Sequence, residues 1–430
     1  MNLRAVYVVD GCRTPFLKAG GAPGPFTASD LAVAAGRVLF LRLGLPAPTL
    51  DEVILGCVSP RADEANIARI VALRLGCGKR VPAWTVQRNC ASGLQALDSA
   101  RLDIATGRAE LVLAGGTEAM SHAPVLWSER FLHVLAAWRQ ARGMLAKSRA
   151  LARLRPADLL PVPGLLLGLK DPIAGLSMGQ TAEILAQRFD ITRAEMDAYA
   201  LASHQRLAAA VDAGALDDEV VALAGSDGQG YRQDAGLRRD TTLEKLSNLK
   251  PVFDKNYGNL TAGNSAQISD GACVLLLASG EAISRYRLPV LGRLVDCAWA
   301  GVEPEQMGLG PVHAIAALLR AQQLAAARVD YWEINEAFAA QVLACLRACA
   351  SEAYGREELG LDGALGLIPG DRLNLDGGAI SLGHPVGASG ARIVLHALRV
   401  LRQSGGQRAI ASLCIGGGQG GAALLTGERP

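Results

Sequence analysis

Two stretches of this 430-residue chain repeat the same order of small residues, helix and strand. The first follows Cys90, where small residues open a helical pattern and the strand that begins at Leu111 ends in two glycines. The second follows His384 and has the same order, with a strand from Ala409 to Cys414 that ends in three glycines. Small residues and glycines also bound helices in unrelated proteins, so chance is the alternative. Duplication predicts two related half-domains whose reactive turns face one pocket.

The predicted strands are short apolar runs without alternation, such as Val53–Gly56 and Cys273–Leu277, and helical patterns separate them. Strands of this kind are buried on both faces of a sheet. The sequence therefore predicts an α/β fold with mixed sheets covered by helices. The chain is longer than one ordinary core requires, so we expect two or three lobes.

Between about Ser121 and Gln267 the sequence pattern changes. Long helical patterns rich in Arg and Ala occur there, at 132–155 and 179–213. This segment interrupts the first half, and we predict that it forms an inserted lid and substrate-binding subdomain. The expected domains are 1–121 with 268–287 as the N-terminal half, 122–267 as the insertion, and 288–430 as the C-terminal half.

The composition argues against several classes of protein. Lys plus Arg is 43 against 41 for Asp plus Glu, and only 4% of residues are aromatic, so we expect no nucleic-acid binding. The nine cysteines are an odd number, and the N-terminal segment lacks a basic start with a long apolar core. These features predict a reducing, cytoplasmic compartment. No stretch approaches the ~20 consecutive apolar residues needed to span a bilayer.

The chemistry is expected to lie in the two reactive turns and in the last glycine-rich strand end. Cys90 precedes a predicted helix N-terminus, where free N–H groups and the helix dipole favour a thiolate. A neighbouring His384 would have the same effect, so we predict a pKa for Cys90 below that of a free thiol. Cys414 precedes glycines that let backbone N–H groups approach a reacting oxygen. Two thiols and one imidazole predict nucleophilic acyl transfer with a separate acid/base; the structural alternative for a free thiol is a buried apolar cysteine.

Two further patterns have structural interpretations. Gly416, Gly418 and Gly421 satisfy the spacing of a dinucleotide-binding turn, but no helix and no room for a βαβ unit follow them. Cys345 and Cys349 lie one helical turn apart without accompanying histidines, so we expect core residues and no metal site.

These residues resemble those of the thiolase family over essentially the whole chain. The resemblance implies a five-layer αβαβα core of two similar halves with an inserted helical loop domain. Its motifs occur in the family's order: Arg13 to Phe16, Asn89 to Gly93, Gly115 to Ser121, Thr261 to Asn264, Met307 to Pro311, Asn335 to Phe338, Gly377 to Gly390, and Cys414 to Gly418.

The resemblance also implies the role of each residue. Cys90 would be the acylated nucleophile, His384 its activator, and Cys414 the second acid/base. Asn335 would hold a water that stabilises an enolate oxygen, and the N–H groups of Cys90 and Gly416 would form the other oxyanion hole. Decarboxylating ketoacyl synthases share this fold but use two histidines, so Cys414 argues against them.

Coenzyme A enters as a substrate, and the resemblance implies no metal and no other cofactor. For CoA binding it implies Arg238, near the adenine and phosphate, and Ser265, near the pantetheine. Met178 is a third expected CoA contact.

The implied activity is fatty-acid β-oxidation: cleavage of a 3-ketoacyl-CoA by CoA into acetyl-CoA and a shortened acyl-CoA. The alternatives are an acetyl-CoA acetyltransferase that condenses two acetyl-CoA to acetoacetyl-CoA, and a catalytically inactive acyl-CoA-binding scaffold. A homodimer or tetramer is expected. Residues 154–163 resemble thiolase subunits of fatty-acid oxidation complexes, which implies a possible hydratase/dehydrogenase partner subunit.

Residues 131–169 carry six Lys and Arg before the first acidic residue, Asp158, with Trp138 and leucines at helical spacing. Basic amphipathic helices bind anionic membrane surfaces, which predicts peripheral membrane contact. One alternative is a solvated lid helix whose apolar side packs on the core. The other is a docking face for the partner subunit.

Overall fold

The structure is a computed structural model that describes residues 3–226 and 228–428. Its strands are β1 (Tyr7–Arg13), β2 (Leu17–Lys18), β3 (Glu52–Gly56), β4 (Ala83–Val86), β5 (Leu111–Ala119), β6 (Val125–Leu126), β7 (Val162–Pro163), β8 (Leu223–Ala224), β9 (Gly230–Tyr231), β10 (Ser269–Ala278), β11 (Gly292–Gly301), β12 (Tyr331–Ile334), β13 (Arg408–Ile415) and β14 (Gln419–Thr426). Its α-helices are α1 (Ala28–Leu43), α2 (Ile67–Arg74), α3 (Ser92–Ala105), α4 (Glu129–Gln140), α5 (Met144–Leu151), α6 (Gly164–Gly168), α7 (Met178–Arg188), α8 (Arg193–Asp212), α9 (Leu243–Ser247), α10 (Gly280–Tyr286), α11 (Gly310–Ala321), α12 (Ala339–Ala350), α13 (Glu352–Glu357), α14 (Ala379–Leu382) and α15 (Val386–Ser404).

The sheet order shows the duplication. The strands form the path β12-β13-β14-β11-β1-β10-β5-β3-β4, with β2 beside β10. In the first half β3 is parallel to β5, and β5, β10 and β1 are successively antiparallel. In the second half β12 is parallel to β13, and β13, β14 and β11 are successively antiparallel. The two halves therefore have the same topology, and the predicted α/β fold of two similar halves is confirmed.

Three clusters of buried apolar side chains hold the helices and strands together in five layers. Buried side chains of α1, α2 and α10 pack on the outer face of the first half's strands. Those of α11 and α12 pack on the outer face of β12–β14. The central cluster joins α3 and α15 with strands of both halves. The layer order is therefore helix, sheet, helix, sheet, helix.

The contact between α3 and α15 is unusually close because glycines face each other there. A Cβ added at Gly93 would lie 2.8 Å from the carbonyl oxygen of Gly387. A Cβ added at Gly390 would lie 2.6 Å from the backbone nitrogen of Leu94. Only residues without a side chain allow this approach. Since Cys90 and His384 each lie just before one of these helices, the contact brings the two reactive turns together.

The two longest predicted helical patterns are each broken in the structure. The 132–155 pattern divides into α4 and α5, because the backbone at Gly143 takes a φ of 84°. The 179–213 pattern divides into α7 and α8 at Asp190, which has a φ of 50°. Thr192 then starts α8 with a capping box to Glu195. Hydrophobic periodicity continues through both breaks, so periodicity alone did not predict them.

The segment between β5 and β10 is tied to the first strand by a buried ion-pair network. The Arg13 guanidinium lies 2.7 Å from the carboxylates of both Glu219 and Asp234, and all three side chains are almost completely buried. Breaking such a pair leaves a buried charge uncompensated, which costs several kcal/mol. The predicted domain boundaries stay a prediction.

None of the helices in the described part of the chain combines the length and the apolar composition that a membrane span needs.

We expect Gly390→Ala to destabilise the protein by about 1–3 kcal/mol, because the new methyl group clashes with the backbone of Leu94. In an ordinary helix the same substitution would stabilise by up to about 1 kcal/mol. Gly301→Ala is the control, because nothing lies within 4 Å of its added Cβ. Thermal unfolding of both variants beside the unaltered protein measures the difference. Equal midpoints would contradict the close contact.

Candidate active site

The turn that carries Cys90 is held by local hydrogen bonds. Asn89 has a φ of 43°, a conformation that asparagine tolerates better than most residues. The Ser92 hydroxyl donates to the Asn89 carbonyl at 2.7 Å and accepts from the N–H of Arg88 at 2.8 Å. The Asn89 amide donates to the carbonyl of Gly416 at 2.8 Å. This last bond joins the Cys90 turn to the glycines that follow Cys414.

A cavity of about 550 Å³ opens at this junction. Cys90, Glu118 and Gly416 are among its lining residues. Its apolar lining comes from both halves and from the insertion: Val58, Met120, Leu165, Leu167, Leu169, Ile173, Met178 and Val386. The insertion therefore supplies one wall of the cavity.

The pKa of the Cys90 thiol is raised above its ordinary value, because the group is desolvated among protein atoms. The backbone N–H of Gly416 points at the sulfur and partly opposes this effect. The predicted lowering of the pKa is therefore wrong for the free protein. Desolvation of the thiolate outweighs the stabilisation expected from the turn, so the resting residue is a neutral thiol.

His384 is oriented by Ser389. The imidazole Nδ1 lies 2.6 Å from the Ser389 hydroxyl, which donates in turn to the carbonyl of Pro385 at 3.0 Å. Because that hydroxyl donates its hydrogen to Pro385, it accepts one from Nδ1–H, and Nε2 is left unprotonated. Nε2 is buried without a protein partner. Burial, with the nearby charge of Arg392, lowers the pKa of His384 to about 4. The histidine is therefore neutral near pH 7 and can accept a proton.

Cys414 lies near the end of β13 and is buried. Burial raises the pKa of the Cys414 thiol well above its ordinary value. The negative charge that Cys90 would carry as a thiolate is the second cause and acts in the same direction. Because the charge on Cys90 affects this pKa, the two thiols lie within electrostatic range of each other. Cys414 therefore holds its proton at rest and is suited to donate it.

Asn335 follows β12, the parallel neighbour of β13, and its N–H donates to the carbonyl of Ser412 at 2.9 Å. Carboxyl ends of parallel strands meet at one edge of a sheet, which places Asn335 beside the end of the Cys414 strand. Both polar atoms of its side-chain amide are buried without a protein partner. Buried polar atoms are nearly always paired, so this amide is suited to bind a polar group of a substrate or a water.

The three expected CoA contacts have different positions. Met178 lines the cavity with Cys90. Ser265 is buried next to Phe338, and its hydroxyl has no protein partner. Arg238 is exposed and does not line the cavity, although its backbone N–H donates to His204 at 3.3 Å. The three other candidate catalytic residues, His384, Cys414 and Asn335, are buried and are not among the residues that line the cavity.

The sequence analysis assigned no role to Glu118, which the structure places in the site. Its carboxylate accepts from the N–H groups of Val58 and Ser59 at 2.8 and 2.9 Å. Burial raises the pKa of Glu118 to about 7. The hydrogen bonds from Val58 and Ser59, and a further one from the N–H of Gly387, act in the opposite direction. Glu118 thus links a turn of the first half to the turn after His384. The sequence contained a signal for it, because Glu118 is the one charged residue between Leu111 and Met120, a stretch in which Thr117 is the only other polar side chain.

Other predicted structural residues lie as expected. Cys345 and Cys349 belong to the core cluster of the second half. The chain after Gly418 forms β14 instead of a helix, which agrees with rejecting a dinucleotide site. In the described part of the chain, no group of three or more His, Cys, Asp or Glu side chains could hold a metal ion.

The structure defines an α/β protein of two duplicated halves, with a candidate catalytic cysteine in the first half and a candidate cysteine and histidine in the second. The family model for the thiolase N-terminal domain matches residues 6–281, and that for the thiolase C-terminal domain matches residues 288–427. The chain therefore belongs to the thiolase family, whose members are acyltransferases.

Individual relatives are similar over nearly their whole length. The β-ketoadipyl-CoA thiolase of Pseudomonas aeruginosa is 38% identical over 431 residues, covering 97% of this chain and 98% of its own. The crystal structure of human mitochondrial 3-ketoacyl-CoA thiolase in complex with CoA has a TM-score of 0.85 at 37% identity, covering 99% of this chain and 98% of that one. The Bacillus anthracis acetyl-CoA acetyltransferase structure has a TM-score of 0.85 at 35% identity, covering 99% and 100%.

The raised pKa of Cys90 generates a test in the free protein. Alkylation of Cys90 by iodoacetamide should rise with pH through a midpoint above about 8.5, the free-thiol value, because burial disfavours the thiolate. Peptide mass spectrometry after timed alkylation measures the rate at this residue alone. His384→Asn should leave the midpoint unchanged, since His384 is neutral over this range. A plateau near neutral pH, lost in His384→Asn, would instead indicate a thiolate–imidazolium pair.

Proposed function

We propose that this protein is a 3-ketoacyl-CoA thiolase, which uses CoA to cleave a 3-ketoacyl-CoA into acetyl-CoA and a shortened acyl-CoA. The observation that carries the proposal is the pair of cysteines from the two halves. The Cys90 thiol lines the cavity and accepts a hydrogen bond from the N–H of Gly416, and the Cys414 thiol lies within electrostatic range of Cys90. A carbon–carbon cleavage needs both a nucleophile and a separate proton donor. Two thiols supply these two functions.

The first step is attack on the keto group. Nε2 of neutral His384 takes the proton of Cys90, and the sulfur attacks the keto carbon. Negative charge develops on the keto oxygen, which accepts hydrogen bonds from the backbone N–H groups of Cys90 and Gly416. Loss of one such donor typically costs about 10²–10³ in rate.

Cleavage and proton transfer follow. The bond between the keto carbon and its neighbour breaks, the acyl group stays on Cys90 as a thioester, and the electron pair moves into the enolate of acetyl-CoA. Protonated His384 and a water held by Asn335 stabilise the enolate oxygen. The Cys414 thiol protonates the enolate carbon and releases acetyl-CoA.

The second half of the cycle restores both cysteines. The thiol of CoA gives its proton to the Cys414 thiolate, and its sulfur attacks the Cys90 thioester. The shortened acyl-CoA forms, and Cys90 leaves as a thiolate that recovers its proton from His384. Protons and electron pairs balance over the cycle, and the residues of the chain are sufficient for it.

The apolar wall of the cavity supports acyl chains longer than acetyl, because Leu165, Leu167 and Leu169 offer a surface that an alkyl chain would bury. Among the CoA contacts, Met178 would lie near the reactive end. Ser265 would contact the pantetheine, and exposed Arg238 would meet the phosphate end in solvent.

The second candidate is condensation of two acetyl-CoA, supported by the similarity to the Bacillus anthracis acetyl-CoA acetyltransferase structure. The same residues catalyse both directions. The similarity to a β-ketoadipyl-CoA thiolase supports a substrate with a terminal carboxylate, for which Lys170 at the cavity is the available cation. A catalytically inactive scaffold is disfavoured, because Cys90, Asn335, His384 and Cys414 are all present in the chain.

Three further parts of the proposal concern the surroundings of the enzyme. All nine cysteines are free thiols, which supports a reducing compartment such as the cytoplasm. A homodimer or tetramer and a hydratase/dehydrogenase partner subunit rest on the family resemblance alone.

The proposed division of labour is tested by two cysteine variants incubated with acetyl-CoA. Cys90→Ala should form no acyl-enzyme and show no turnover, because the acyl carrier is lost. Cys414→Ala should still become acetylated on Cys90 but should lose condensation by about 10³-fold or more, because only the carbon-acid step needs its thiol. Intact-protein mass spectrometry detects the acetyl group, and acetoacetyl-CoA formation reports condensation. A Cys414→Ala variant that condenses at the normal rate would overturn the assignment.

Acyl preference is tested by kcat/KM for thiolysis of acetoacetyl-CoA, a long-chain 3-ketoacyl-CoA and β-ketoadipyl-CoA. We expect the long-chain substrate to be preferred by about tenfold or more over acetoacetyl-CoA, because a few buried methylenes contribute at least that much. Leu165→Asp should remove the preference and leave acetoacetyl-CoA turnover nearly unchanged. A maximum at acetoacetyl-CoA would favour the acetyltransferase alternative, and one at β-ketoadipyl-CoA would favour the dicarboxylic substrate.

A further inference from the structure

The inserted segment contains a helical hairpin that does not pack into the core. This arm, residues 124–173, comprises β6, α4, α5, β7 and α6. The four clusters of buried apolar side chains among the described residues include no residue of the arm. In α4 only Val134 is buried, and in α5 only Ala150. The alternative that the apolar side of this helix packs on the core is therefore wrong.

The arm exposes an apolar surface instead. More than half of the large apolar side chains that are exposed in the described structure belong to it, although it is under an eighth of the chain. The most exposed are Val125, Met144, Leu145, Leu160, Leu166 and Ile173. Met144 and Leu145 are adjacent at the hairpin tip, just after the bend at Gly143, and are 84% and 67% exposed. Exposed apolar patches of this extent mark interaction sites.

Contacts within the arm join its elements to one another. Trp127 and Phe131 stack with ring centres 4.7 Å apart. Arg130 bridges to Asp158 at 3.0 Å, which joins α4 to the turn after α5. Strands β6 and β7 pair at its base. The exposed apolar residues are therefore presented by an ordered hairpin.

The charge of the arm is strongly positive around this surface. Between Arg130 and Asp158 it carries Arg139, Arg142, Lys147, Arg149, Arg153 and Arg155 and no acidic residue. In the described structure none of these six forms an ion pair. The arm has three carboxylates against eight Lys and Arg residues: Glu129 at the start of α4, Asp158 paired with Arg130, and Asp171, which accepts from the N–H groups of Ile173 and Ala174. Unpaired basic residues beside apolar side chains fit a surface that is anionic outside and apolar beneath.

We propose that the arm binds the surface of an anionic phospholipid bilayer, with Met144 and Leu145 inserted among the acyl chains and the basic residues on headgroup phosphates. The carboxyl-terminal part of the arm, residues 164–173, also lines the cavity beside Cys90. Docking through the arm therefore brings a segment that lines the cavity to the lipid surface. Membrane binding is independent of the proposed reaction; only delivery of long acyl chains at the bilayer rests on it.

The test is flotation of the full chain with vesicles of phosphatidylcholine containing about 30% phosphatidylglycerol, and with phosphatidylcholine alone. We expect binding to the anionic vesicles that weakens at least tenfold between about 0.02 M and 0.5 M salt, because headgroup attraction is screened. Met144→Asp/Leu145→Asp should weaken binding at least tenfold, and Arg142→Glu/Arg149→Glu should do the same and reduce the salt dependence. Neither pair belongs to the cavity, so thiolysis of a soluble short-chain substrate should be unchanged.

Matched controls lie on α1, where Leu41 is 81% exposed and Arg37 is exposed. Leu41→Asp and Arg37→Glu should bind vesicles like the unaltered chain. No binding at low salt, or binding equal in arm and control variants, overturns the proposal. If the arm variants instead shift the molar mass in light scattering without affecting flotation, a second copy of the chain covers the arm and the proposal is wrong. Flotation is scored without turnover, so its failure is distinct from failure of the proposed activity.

Discussion

The close contact of α3 and α15 is the constraint on which the rest of the molecule depends. Gly93 and Gly390 let the two helices approach until backbone meets backbone. Each helix begins just after a reactive turn, so their separation sets the separation of Cys90 from His384. Close packing transmits any change in volume at such a contact. The duplicated halves therefore line one cavity, because the helices between the two sheets are held at a distance that their backbones limit.

Burial then determines how the reactive groups rest. Cys90 and Cys414 are held as neutral thiols, and His384 is neutral with an available Nε2. In this buried environment, the loss of hydration would destabilise a charged thiolate–imidazolium pair by more than the hydrogen bonds of the turn would stabilise it. The arrangement suits general-base activation, in which charge develops only when a substrate oxygen lies against the N–H groups that stabilise it. Ser389 supports this by keeping the other ring nitrogen protonated.

The insertion serves the site and the surface at once. Its residues 164–173 form a wall of the cavity, while its hairpin tip points Met144 and Leu145 into solvent. The same segment can therefore shape the acyl-binding end and mediate contact with a surface. Its buried anchor, the ion pairs of Arg13 with Glu219 and Asp234, lies in a later part of the insertion. The hairpin is thus free of the packing that holds the rest.

The sequence alone predicted the duplication and the strand runs, which the structure confirms, and it named the candidate catalytic residues, because period, glycine placement and short motifs are local properties. It also identified the basic arm. Only the tertiary structure decided the raised pKa of Cys90, the place of Glu118 in the site, the breaks at Gly143 and Asp190, and the exposure of the arm's apolar face. The physical reason is the same for the pKa values, Glu118 and the arm: solvation depends on which distant segments pack around a group, and a local pattern does not contain that information. The helix breaks at Gly143 and Asp190 each follow from one residue with a positive φ, and the hydrophobic periodicity of the sequence does not reveal such a conformation.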